Sequence, residues 1–116
     1  MPDTLIDELD PEDSKIVTLA RSARARSGAA EGAAVRDPDG RTWTASTVAL
    51  PSLRLSALQA AVATAVGSGA TELTAAAVVT DVEAVDEAGL AAVRDLGQDA
   101  PVLVADGNGK VTETVG

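Results

Sequence analysis

General acid-base catalysis most often recruits histidine, and nucleophilic catalysis recruits cysteine or an activated serine. The 116-residue chain has no histidine, cysteine, tyrosine or phenylalanine. A serine nucleophile would therefore depend on a lysine base. The only lysines are Lys15, in the exposed first turn of an expected helix, and Lys110, just after an expected turn, which leaves serine catalysis without support. Gly107-Asn108-Gly109-Lys110 shares a fragment with phosphate loops. Such a loop needs a glycine five positions before the Gly-Lys pair and a Ser or Thr after it, opening a helix, whereas Val104 and Val111 stand in those places. The segment reads as a hairpin turn. The remaining cluster is Asp81, Glu83, Asp86 and Glu87 in TDVEAVDE, which would suit a hard divalent cation and a metal-assisted hydrolysis. More often such a run is a solvated loop that leads acids to a helix N-terminus.

These residues must be placed by elements that the local pattern predicts. Asp10-Pro11-Glu12-Asp13 starts a helix, with an N-cap acid, proline at the first helical position and acids in the first turn. Ile16, Leu19, Ala20 and Ala23 recur at helical spacing and Gly28 stops the run. Ala30 to Val35, the turn Asp37-Pro38-Asp39-Gly40, and Arg41 to Val48 read as a hairpin. After Pro51-Ser52, the stretch LRLSALQAAVATAVGSG opens a second helix of about three turns, in which Ser56 and Gln59 have capping-box spacing. Leu73 to Thr80 is a short apolar run that suits a central strand buried on both faces. Asp86 caps a third helix carrying Leu90, Val93 and Leu96 and ending at Gly97; Pro101 to Ala105 and Lys110 to Val115 flank the last turn as strands. The order predicts an α/β fold, a mixed sheet of about five strands with helices on its faces.

Composition bounds the rest. The length suits a single domain, residues 11–116, preceded by a solvated acidic arm, residues 1–10. No segment approaches the roughly 20 apolar residues of a membrane span, and the acidic start lacks the basic and apolar regions of a secretory signal, so the expected location is the cytoplasm, with no membrane partner. A net charge of -9 opposes nucleic-acid binding. Arg21, Arg24 and Arg26 could form a basic patch, but as cations in the last turns of a helix they complement its negative end. A single aromatic, Trp43, leaves little for base stacking.

Taken in order, ARSARAR, the GAAV strand followed by DPDGR, a helix ending AVxxG, the strand AAAVVTD and the tail DLGQDAPVLVADGNGKVTE resemble the small cytidine deaminases of the free-nucleoside type. The resemblance spans most of the chain and implies a three-layer α/β/α sandwich. It also implies a catalytic zinc between the N-termini of two helices, held by a Cys or His from one and a Cys-x-x-Cys pair from the other, with a glutamate moving protons. By that resemblance the first ligand falls on Ser56, the glutamate on Leu58, and the paired cysteines on Asp86 and Gly89. The substrate-binding Asn-x-Glu falls near Thr47 and Ala49, and an aromatic before the first strand falls at about Ala29.

None of these positions keeps the side chain that the chemistry needs. A leucine moves no proton, a glycine has no ligand, and a neutral serine hydroxyl is a poor donor to zinc. The expectation is a family member without bound zinc or deaminase activity, retained for interaction or scaffolding. The alternative is a vestigial pocket that binds a nucleoside or related small molecule. The resemblance also implies a homo-oligomer, dimer or tetramer, with the alanine-rich second helix suited to close packing against another subunit.

Overall fold

A computed structural model describes residues 9–82 and 85–116. Helix α1 spans Pro11–Ser27, with Asp10 accepting a hydrogen bond from the Glu12 amide and Gly28 closing the helix in the left-handed conformation. Strand β1 (Gly32–Arg36) turns into β2 (Thr42–Ser46), and a short hairpin follows, β3 (Val48–Leu50) and β4 (Leu53–Leu55). Helix α2 (Ala57–Gly67), β5 (Ala75–Val79), α3 (Glu87–Leu96), β6 (Val102–Ala105) and β7 (Val111–Val115) complete the chain.

Five strands form one mixed sheet in the order β2-β1-β5-β6-β7, antiparallel except for the parallel pair β5 and β6. Side chains alternate across it as the pleat requires. Ala34, Ala75, Ala77, Val79, Leu103 and Ala105 face α1, where they meet Ile16, Val17 and Ala20. Ala33, Val35, Ala76, Val78, Val102 and Val104 face the other way, toward Ala57, Leu58, Ala61, Ala65 and Val93 of α2 and α3. The result is the α/β/α sandwich that the pattern predicts. Small residues in β5 let helices approach closely from both sides, and β1 goes further: a Cβ at Gly32 would run into the Ala20 carbonyl of α1.

One departure from the sequence reading bears on the site. Leu53 to Leu55 belong to β4 and not to the lead-in of α2, because three-residue strands paired across Pro51-Ser52 carry too little alternation to register as a pattern. Of the acidic arm expected over residues 1–10, residues 1–8 lie outside the described residues; Leu9 packs against the α1-side core and Asp10 serves as the cap.

The two long hairpins share one turn. Asp37 accepts from the amides of Asp39 and Arg41, and Asp106 does the same for Asn108 and Lys110. Asp37 is buried, which by itself would raise its pKa. Hydrogen bonds from the Arg41 amide and side chain, the Arg41 charge and the Asp39 amide outweigh burial and hold it below 3.8. Among the described residues no helix is long and apolar enough to cross a membrane.

Candidate functional site

Helices α2 and α3 lie side by side on one face of the sheet, and their N-termini meet. Each begins on an extended residue whose side chain caps it: Ser56 Oγ accepts from the Gln59 amide at 3.2 Å, and Asp86 Oδ2 accepts from the Gly89 amide at 2.6 Å. At α2 the capping box is complete, since Gln59 Oε1 accepts in return from the Ser56 amide.

The four positions Ser56, Leu58, Asp86 and Gly89 converge on one point. A Cβ built on Gly89 would lie 2.7 Å from Leu58 Cβ, 2.9 Å from Asp86 Oδ2 and 3.0 Å from Ser56 Oγ. Leu58 is 1% exposed and ranks among the largest fully buried side chains, packed with Val93, Ala57 and Ala61. Below the caps, then, the junction is apolar core.

Above the caps it opens. A cleft of about 520 Å³ is lined by Ser56 and Gln59 from α2, Asp86 from α3, Thr47, Ala49 and Arg54 around the β3–β4 hairpin, and Glu31 ahead of β1. Thr47 and Ala49, the expected substrate-contact positions, therefore border the same cleft as Ser56 and Asp86. Ala29 does not line it; its amide donates to Ser27 Oγ just past α1. Thr47 is tied to the opposite wall, accepting from the Glu31 amide and donating its own amide to the Glu31 carbonyl.

Glu31, Arg54 and Val82 were not marked by the sequence reading. Glu31 and Val82 come from connections and Arg54 from the three-residue strand β4, and no local periodicity links them.

The acidic run does not form a cluster among the described residues. Asp81 accepts from Arg24 at 2.6 Å, Asp86 is spent on its cap, and Glu83 lies outside the described residues. No group of three or more His, Cys, Asp or Glu side chains comes together among the described residues. The pairing also removes Arg24 from any basic patch.

Zinc, which the sequence resemblance implies, is held by thiolate, imidazole and carboxylate donors. At the junction stand one carboxylate with an oxygen committed to a backbone amide, one neutral hydroxyl, a buried leucine and a glycine. This donor set does not fit the metal.

In architecture the chain is a deaminase-type sandwich. A cytidine deaminase from Burkholderia pseudomallei is similar over 87% of this chain and 89% of its own, with a TM-score of 0.76 and 24% identity. The Mycobacterium leprae cytidine deaminase is similar over 82% and 89%, with a TM-score of 0.69 and 20% identity. A single-site mutant of the Mycobacterium tuberculosis cytidine deaminase is 26% identical, over 82% and 85%, with a TM-score of 0.67. A family model described as cytidine deaminase-like matches residues 9–109. The chain belongs to the cytidine deaminase-like family. No protein of curated function matches the sequence.

Proposed function

We propose that this family member does not deaminate cytidine, carries no zinc, and acts as an interaction module. The observation that carries the reading is the junction of α2 and α3. The positions that would supply ligands and a proton shuttle by family resemblance are there a buried leucine, a buried glycine and two helix caps. Without histidine or cysteine anywhere in the chain, no neighbouring residue can substitute as a soft ligand.

The interaction surface is the outer side of β3, β4 and α2. Of nine basic and eighteen acidic residues, only Arg54 falls between Thr42 and Thr71. That stretch also holds Leu50, Leu53 and Val66, three of the four large apolar side chains exposed among the described residues. Two copies of a chain with net charge -9 meet with least repulsion across such a face, so the partner is a second copy, in a dimer or tetramer. Light scattering is expected to give a multiple of 11.6 kDa that falls toward the monomer in the double variant Leu50→Asp/Leu53→Asp. A monomeric native protein would remove the homo-oligomer.

The cleft favours a second reading, a small-molecule binder that keeps its ligand intact. One experiment separates the two. Purified protein is incubated with cytidine or deoxycytidine with and without zinc, following deamination by absorbance and stability by thermal shift. The expected result is no turnover. A ligand-dependent rise in Tm without turnover selects the binder, and turnover abolished by substituting Leu58 or Asp86 overturns both.

A further inference from the structure

We infer that Gly89 is the residue that lets α2 and α3 close on each other, and that this closure, not the identity of the donors alone, excludes a metal from the junction. The inference takes the equivalence of Ser56, Leu58, Asp86 and Gly89 to the family's site from the proposed function. It adds a claim about the backbone.

Of the three atoms nearest a Cβ at position 89, Leu58 Cβ is the one that cannot give way, and the other two are engaged in caps. Leu58 Cβ, 2.7 Å away, is one bond from the α2 backbone and cannot swing aside as a side-chain tip would. Asp86 Oδ2 is held by the Gly89 amide at 2.6 Å, and Ser56 Oγ by the Gln59 amide at 3.2 Å. Real Cβ atoms do not come within 2.7 Å of a non-bonded carbon, so the contact with Leu58 Cβ is relieved only by pushing the helix N-termini apart. The same Cβ crowds Asp86 Oδ2 and Ser56 Oγ directly, and parting the helices opens the core beneath, where Leu58 and Val93 are buried. Ligation and capping are thus alternatives at this junction: Ser56 and Asp86 spend their oxygens on their own helices, and the helices are close because residue 89 has no side chain.

The test grafts the family's three donors into the full chain: Ser56→Cys, Asp86→Cys and Gly89→Cys together. The expected product has a lowered Tm, keeps no zinc after desalting, and shows no thiolate-to-metal absorption with cobalt. Because metal binding free energy is also folding free energy, a junction able to open would reveal itself by one-to-one zinc retention and a recovered Tm. That result overturns the inference, while a native protein without turnover would still stand.

The single variant Gly89→Ala decides the matter if the graft does not fold, since it adds the Cβ and no ligand. Its Tm is expected to fall by on the order of 10 °C. An unchanged Tm would overturn the steric claim whatever the graft does. Turnover by the native protein would instead refute the proposed function and leave the Gly89→Ala result valid.

Discussion

The N-termini of α2 and α3 solve the same problem with unequal means. Both begin on an extended residue whose side-chain oxygen holds the amide three positions on. At α2 that third residue is Gln59, half-buried and lining the cleft, and its amide oxygen returns the bond. At α3 it is Gly89, buried, with nothing to return. The difference lies in what each position faces. Gln59 projects toward open space, whereas position 89 faces the α2 backbone at Leu58. One terminus is stabilised by its own box, the other by its neighbour's packing. In both, the polar groups are spent on ending helices, which leaves little for chemistry.

Leu58 is the point at which this comparison breaks most severely. Leu58→Glu would supply the family's acid, but among buried core residues and without a charge partner. Desolvation then costs about 4 kcal/mol or more, enough to unfold a small domain of ordinary stability. Leu58→Ala removes the same packing without adding charge and is expected to cost about 3 kcal/mol. Urea unfolding of the two variants checks the order. If Leu58→Glu proves as stable as Leu58→Ala, the side chain reaches the water of the cleft, and the floor of the junction is less closed than the packing implies.

The sequence made legible what depends on neighbours along the chain. Asp10-Pro11, the Ser56–Gln59 box, the Asp86 cap and the stop at Gly97 all lie where capping chemistry predicts. The apolar run at Ala75–Val79 is the buried central strand. What stayed hidden depends on approach in space. The β3–β4 hairpin is held by three-residue strands, below the length at which alternation means anything. Glu31 and Arg54 line one cleft only because the fold brings the lead-in to β1 alongside the β3–β4 hairpin. Gly89 gave no local signal of its role, since a glycine in the first turn of a helix reads as a weak position until Leu58 is seen against it. Family resemblance supplied the pairing of 56 and 58 with 86 and 89, which composition and spacing alone do not reveal.

The smallest expected effects sharpen the comparison of the caps themselves. Asp86 accepts through a charged oxygen at 2.6 Å, at the positive end of α3, and its terminus has no reciprocal bond. Asp86→Ala should therefore cost about 2 kcal/mol, the upper part of the range for a lost N-cap. Ser56 accepts through a neutral hydroxyl at 3.2 Å, so Ser56→Ala should cost about 1 kcal/mol. Gln59→Ala, which removes only the returned bond at an open position, should cost about 0.5 kcal/mol. Because the two halves of the box orient one another, Ser56→Ala/Gln59→Ala should be less destabilised than the sum of its parts, by roughly 0.5 kcal/mol. No such coupling is expected between Asp86 and Gln59, whose bonds lie on different helices with no shared partner. Urea midpoints at constant slope measure these four variants and the double Asp86→Ala/Gln59→Ala. Coupling across the helices would mean that the caps act as one unit.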